Sequence, residues 1–185
     1  MPDDEAEAVY AYVQWLYTGK IACKTPAEDN EAYCYLASLY VLGEKLLDRN
    51  FQDMVVNVIT AFTRWIDPTT TFAYFPSPSA IAIAYHYTPP GSPIRRLLVD
   101  IFVRHGSPNW LDSRCFGQDF MHELARTMMD DRGAKNDKRF AELESGIPCS
   151  YHHHAKDDAC GKMPNAGKRP ILRADGDRKR RKFSA

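Results

Sequence analysis

The sequence lacks several patterns that define common classes of protein. Its amino terminus carries no basic stretch followed by an apolar run, so it shows no secretory signal peptide. Its apolar runs are short and interrupted by charge, which argues against a transmembrane helix. Alternation of apolar and polar residues, the pattern of half-buried strands, is nearly missing. We therefore predict an intracellular, mainly helical protein.

Sequence motifs of catalysis are also missing. There is no Gly-rich phosphate loop before a helix, no G-x-S-x-G and no H-E-x-x-H pattern. Cys115 and His122 could mimic a nucleophile and its base, but an isolated Cys and His of this kind are most often structural. We therefore expect a protein that is not an enzyme.

The chain contains enough apolar residues to form a hydrophobic core. The 185 residues are 44% hydrophobic and 12% aromatic, which suits one domain with an extension. The net charge is zero but unevenly spread: nine Lys or Arg and two Asp after residue 161 give +7, and the remaining 15 basic and 22 acidic residues give −7. Five cysteines, an odd number without a signal peptide, indicate reduced thiols rather than a disulfide framework.

Apolar residues spaced three and four apart predict helices along most of the chain. Gly19 is suited to end the first helix, and Asn50 with Asp53 three residues later resembles a capping box that begins the third. The short connection between the second and third helices predicts a helical hairpin. The predicted elements are a first helix that ends before Gly19, a short strand at 20–23, helices at 33–47, 50–66, 79–87, 94–105, 119–131 and 139–144, and a disordered tail at 162–185.

The first predicted helix carries apolar residues on two faces, and such a helix is typically covered on both sides. Trp15 lies roughly opposite an apolar stripe of the kind that packs on a core. We predict a large exposed apolar surface here, prone to self-association or partner binding. The stripe consists of Ala6, Val9, Tyr10, Val13, Leu16 and Tyr17, and the predicted partner interface consists of Val9, Val13, Trp15, Leu16 and Tyr17.

Two stretches, VYAYVQWLYTGKI and YLASLYVLGEKLLDRNFQDMVVNVITAF, together resemble the second half of a BTB/POZ domain. That family ends a helix in a Tyr-Thr-Gly-like turn and continues with a Leu-Tyr-x-Leu-x-x-Lys-Leu helix. The match covers about residues 5–66, with Phe51 where the family usually has Leu, and 85–106 looks like the segment that follows BTB domains in many fungal-type members. The matching residues are Trp15, Leu16, Tyr17, Thr18, Gly19, Leu39, Tyr40, Val41, Leu42, Lys45 and Leu46.

The resemblance implies the helical half of the BTB/POZ fold at 1–67, followed by a helical extension at 68–147. Domains of this family dimerise, bring substrates to cullin-type ubiquitin ligases or recruit transcriptional partners. The resemblance therefore implies a protein–protein interaction adaptor, whose partners are a second copy or a cullin scaffold. The β-rich first half of the family domain, which carries its usual dimer surface, has no counterpart before the match, so we expect a truncated domain.

A Cys/His loop at 148–161 offers the chemistry of a zinc site. Cys149, His152, His154 and Cys160 would supply two sulfurs and two imidazoles, a set that tetrahedral zinc accepts. The spacing is not that of a zinc finger, because one short loop would donate all four ligands. The alternative is a polar surface loop that carries two unrelated thiols.

The basic tail predicts nuclear import. Two basic clusters flank an eight-residue gap, which is typical of a bipartite nuclear-localisation signal, while a solvated charged tail is the plain alternative. Nucleic-acid binding is not expected, because no folded reader element accompanies the basic residues. A second functional hypothesis is a small nuclear metal- or nucleic-acid-binding protein that uses the Cys/His loop and tail. The basic residues are Lys168, Arg169, Arg178, Lys179, Arg180, Arg181 and Lys182.

Overall fold

A computed structural model describes residues 6–29, 31–111, 115–131 and 149–153. Within these ranges the protein is mainly helical, as predicted, and the predicted helices appear with bounds shifted by one or two residues at most. The helices are α1 (Ala6–Thr18), α2 (Ala32–Leu46), α3 (Arg49–Arg64), α4 (Pro78–Tyr87), α5 (Pro93–His105) and α6 (Gln118–Asp131), with short 3₁₀ turns at Pro108–Leu111 and Cys149–Tyr151.

Helix α2 lies at the centre of the packing, against α1, α3 and α4. Its side chains Leu36, Leu39 and Tyr40 are fully buried, since apolar residues cover most of its circumference. One hydrophobic cluster joins residues on both sides of the predicted boundary at 67/68, from Phe51 in α3 to Ile101 in α5. The predicted extension and the segment before it therefore share a core.

The predicted hairpin of α2 and α3 is confirmed, but its capping differs from the prediction. The Asp48 carboxylate, not Asn50 with Asp53, caps α3: its Oδ1 accepts from the Phe51 N–H at 3.0 Å. The other Asp48 oxygen, Oδ2, accepts from the Tyr12 hydroxyl of α1 at 3.0 Å. Asp48 rather than Asn50 caps α3 because it directly follows Leu47, whose left-handed backbone (φ 55°) turns the chain out of α2. One side chain thus joins α1 to the start of α3.

Helix α3 is buried on an apolar face and also on a polar one. The apolar face carries Phe51, Val55, Val58, Ile59 and Phe62, which are buried, whereas Ile66, which the predicted helix at 50–66 included, is 60% exposed. The polar face was not predicted. Its buried members are Gln52, Asp53, Thr60 and Thr63.

Most of these buried polar groups of α3 are satisfied locally. The Thr60 and Thr63 hydroxyls donate to carbonyls of the preceding turn, at 2.9 Å each. The Gln52 amide donates to the Glu44 carboxylate of α2 at 2.5 Å. The Asp53 carboxylate is the exception, since its hydrogen-bond donors come from a distant part of the chain.

A buried arginine joins α4, α5 and α6. Arg95 of α5 is 4% exposed, and its guanidinium donates to the Tyr85 and Thr88 carbonyls at the end of α4 and to the Thr88 hydroxyl. It also lies 4.0 Å from the Glu123 carboxylate of α6, which accepts from the Tyr85 hydroxyl at 2.5 Å. The guanidinium thereby satisfies helix-terminal carbonyls that would otherwise be buried without donors.

The core-facing side of α1 is not the apolar stripe that periodicity suggested. Ala8 and Ala11 are buried, with Tyr12 and Trp15 packed against the same core. The small alanine side chains let α1 approach α2, and the two aromatic rings fill the space beside Phe51. The prediction was based on hydrophobicity, which is greater for the larger residues of the stripe than for alanine. Close packing of two helices favours small side chains instead.

The strand predicted at 20–23 is wrong. Lys20 to Cys23 has no strand partner, because the described part of the chain contains only one isolated bridge, between Ile66 and Ala73. A single extended segment cannot form a ladder alone. The helix predicted at 139–144 and the disordered tail at 162–185 lie outside the described residues. Within the described ranges, the helices are too short or too polar to cross a lipid bilayer.

Replacing Asp48 tests its double role. Asp48→Ala removes the α3 cap and the acceptor of the Tyr12 hydroxyl, so we expect a loss of about 1–2 kcal/mol in the free energy of unfolding. Asp48→Asn keeps an oxygen for the cap and should cost less than half as much. Urea denaturation followed by circular dichroism measures both. Equal losses for the two variants would contradict the capping role.

The turn after α3 offers a prediction about pH. Asp67 accepts from the Thr69 hydroxyl (2.6 Å), the Thr70 hydroxyl (2.7 Å) and the Thr69 N–H (2.8 Å), and these bonds lower the Asp67 pKa from 3.8 to about 2. Ionised Asp67 therefore stabilises the turn above pH 3.8, and this contribution disappears as pH falls through about 2. Carboxyl ¹³C shifts measured against pH should show this low titration in the wild type and a rise toward 3.8 in Thr69→Ala. A wild-type midpoint near 3.8 would refute it.

Candidate functional site

The outer face of α1 is the most prominent exposed apolar surface on a described helix. It consists of Tyr10 (70% exposed), Val13 (43%), Leu16 (57%) and Tyr17 (88%). Residues 10, 13 and 17 follow the i, i+3, i+7 spacing that places side chains on one side of a helix. Large exposed apolar groups clustered in this way mark surfaces that bind another molecule.

The inner face of α1 fixes the position of this surface. The rings of Tyr12, Trp15 and Phe51 form a cluster with centroids 5.0–5.8 Å apart. The bond from the Tyr12 hydroxyl to Asp48 adds a polar link from α1 to the α2–α3 connection. The outer face is therefore presented by a helix with packed aromatic anchors rather than by a loop.

The structure divides the predicted partner interface between the two faces of α1. Val13, Leu16 and Tyr17 are exposed, whereas Val9 and Trp15 are partly buried against the core. Only the first three are open to a partner. Tyr10, which the prediction omitted, joins them.

Leu47 is a second exposed apolar residue in an unusual conformation. It is 85% exposed and has a φ of 55°, in the left-handed region that glycine or asparagine normally occupies at a helix end. For leucine this conformation costs roughly 1–2 kcal/mol. It directly precedes Asp48, the residue that binds Tyr12 of α1. Leucine at this position gains nothing from burial within the described chain.

Residues 149–153, which we call the docked segment, lie against α3 and α5. The Tyr151 hydroxyl donates to Asp100 Oδ2 at 2.7 Å, and His152 Nε2 lies 3.0 Å from Asn57 Oδ1. The His153 N–H donates to Asp53 Oδ1 at 3.0 Å, and its ring Nδ1 lies 2.9 Å from the same oxygen.

The docked segment supplies hydrogen-bond donors to the buried carboxylate on α3. The Asp53 side chain is 2% exposed, and among the described residues His153 supplies all the hydrogen bonds that it accepts. The His153 ring also stacks on Tyr40 of α2, with centroids 6.4 Å apart. Sequence reasoning grouped the histidines by metal chemistry and missed this contact. The one available signal was Asp53, an acidic residue in the second turn of a helix with a long apolar stripe.

The predicted zinc ligands are only partly described. Cys149 is half-buried, and His152 is buried with its Nε2 directed at Asn57. The other two predicted ligands, His154 and Cys160, lie outside the described residues, as does the predicted nuclear-localisation signal. No group of three metal-ligating side chains occurs among the described residues. Zinc binding stays a prediction.

A cleft of about 590 Å³ lies between α1, α2, α4 and the connection from α1 to α2. Two thiols line it, and burial raises the pKa of Cys23 to about 12 and that of Cys34 to about 11. Both thiols therefore stay protonated at neutral pH, a state that is a poor nucleophile and a poor metal ligand.

The chain matches no protein-family model, no curated protein and no solved structure.

The pairing of His153 with Asp53 predicts a measurable coupling. His153→Ala leaves the Asp53 carboxylate buried with a weaker set of donors, so the free energy of unfolding should fall by about 2 kcal/mol. The same change in an Asp53→Asn background should cost at least about 1 kcal/mol less. Urea denaturation of the four proteins gives the coupling.

The matched control is His86→Ala, which removes an exposed histidine near the end of α4 and should change stability by no more than about 0.5 kcal/mol. If the His153 and His86 variants had the same stability, the pairing would contribute nothing.

Proposed function

We propose that this protein is a protein–protein interaction adaptor that binds its partner through the outer face of α1. The observation that carries the proposal is the exposure of Tyr10, Val13, Leu16 and Tyr17 on a helix whose opposite face is already used for packing. A helix with two apolar faces buries the second one by binding something else.

The composition of the surface supports a protein partner. Tyrosine is enriched at protein interfaces, where its ring supplies area and its hydroxyl a hydrogen bond. The surface pairs two tyrosines with Val13 and Leu16, which together provide an apolar centre and polar edges. Because α1 is anchored by the Tyr12–Trp15–Phe51 cluster, little ordering entropy is lost when a partner binds.

The resemblance to BTB/POZ domains supports two partners, a cullin scaffold and a second copy of the chain. In that family such domains act as adaptors in ubiquitin ligases, as dimers or in transcriptional regulation. The residues that carry the resemblance in α1 include Leu16 and Tyr17, which lie on the outer face. Leu16 and Tyr17 thus belong both to the proposed interface and to the residues that carry the resemblance.

Variants of the outer face test the proposal. Leu16→Asp and Tyr17→Ala should each reduce partner binding by about 2 kcal/mol, roughly 30-fold, if these residues form the centre of the interface. Both side chains are more than half exposed, so stability should change by no more than about 0.5 kcal/mol. The measurements are recovery of a cullin scaffold in a pull-down and light scattering of the concentrated protein.

Met129→Ser on α6 is the matched control, because Met129 is 66% exposed and lies on another helix. It should bind like the wild type. Scaffold recovery no greater than with the Leu16 variant would remove the ligase role. A monodisperse monomer at high concentration would remove self-association, and both results together would overturn the proposed function.

A further inference from the structure

A half-open cleft between α1, α2 and α4 has the volume of a small-molecule binding site. It measures about 590 Å³, within the range of about 300–1,000 Å³ that such sites occupy. We propose that it binds a linear aliphatic polyamine, whose ammonium groups pair with Glu7 and Glu31 while its methylene chain lies over Tyr35 and Ile83. None of these four residues belongs to the outer face of α1, so this site is separate from the proposed partner interface.

Helix α2 presents one narrow stripe to this cleft. Within residues 31–43, every residue is buried except Glu31, Tyr35 and Ser38, and all three line the cleft. Their spacing of four and three residues places them on one side of the helix. The cleft is therefore the place where this otherwise buried part of α2 remains accessible to another molecule.

Two hydroxyls in the stripe lack a hydrogen-bond partner in the described part of the chain, those of Tyr35 and Ser38. Both residues are half-buried. Burial, reinforced by the nearby Cys23 and Glu7, raises the pKa of Tyr35 to about 12, so its hydroxyl stays protonated at neutral pH. A half-buried hydroxyl without a protein partner binds water or a ligand, and an ammonium N–H can donate to its oxygen.

The charge of the cleft favours a cation. Glu7 of α1 and Glu31 at the start of α2 both line it, and neither carboxylate has a salt-bridge partner among the described residues. Lys24, the one basic residue among the described lining residues, lies 3.6 Å from Asp29 Oδ2. Lys24 thus pairs with Asp29, which leaves the two glutamates for a positively charged ligand.

The arrangement of the acidic groups favours an elongated cation over a metal ion. Glu7, Asp29 and Glu31 all line the cleft, yet among the described residues no three ligating side chains come together to hold one ion. The Tyr35 ring and Ile83 provide half-buried apolar surface in the same cleft. A protonated polyamine carries separate ammonium groups joined by methylenes, so it pairs with carboxylates and covers apolar surface at once. The face of a tyrosine ring adds attraction for an ammonium group.

Calorimetric titration of the full-length chain with spermidine at constant ionic strength tests the proposal. Saturable binding is expected, and Glu7→Gln and Glu31→Gln should each weaken it about tenfold, because each removes one charged partner. The matched control is Asp130→Asn, which removes an exposed carboxylate on α6 and should bind like the wild type. Heat that does not saturate, or an equal loss in the Asp130 variant, would overturn the proposal.

Occlusion of the cleft tests its location without a change of charge. Ser79 lines the cleft from the exposed start of α4, so Ser79→Tyr should fill part of it and weaken spermidine binding about tenfold. Ala82→Tyr is the matched control, since Ala82 is exposed on the same helix outside the lining. Equal affinity of the two variants would mean that spermidine stays on the acidic surface outside the cleft. That result would overturn this proposal and leave the one for α1 untouched.

Discussion

A carboxylate buried inside a helical bundle must be given donors, and this requirement shapes the fold around α3. Asp53 lies on a helix that α2 and α5 also contact, and its donors come from His153, one hundred residues later in the chain. The segment that brings His153 also covers Asn57 and Asp100. A contact made outside any helix or strand thus joins the last described residues of the chain to its central helices.

Helix α1 is held in place by contacts at the start of α3. Phe51, at the start of that helix, packs against both Tyr12 and Trp15, and Asp48 before it binds the Tyr12 hydroxyl. Helix α3 therefore supports α1 through Phe51 and the docked segment through Asp53.

Sequence periodicity was sufficient wherever burial follows size and spacing. It located α3 and α5, because buried residues recur four positions apart in each of them, Val55 and Ile59 in α3 and Leu97 and Ile101 in α5. Periodicity did not identify the buried face of α1. Ala8 and Ala11 are buried there because their small side chains permit close packing. It also missed His153, because a pairing over one hundred residues leaves no local pattern and adjacent histidines suggested metal chemistry instead.

The contact of His153 with the helical core is the feature on which this account depends most, and nuclear Overhauser spectra of the full chain test it directly. The His153 and Tyr40 rings are stacked with centroids 6.4 Å apart. We predict cross-peaks between the protons of these two rings and a His153 amide shifted by its bond to Asp53. Peptide-like shifts for His153, without any cross-peak to Tyr40, would contradict the account.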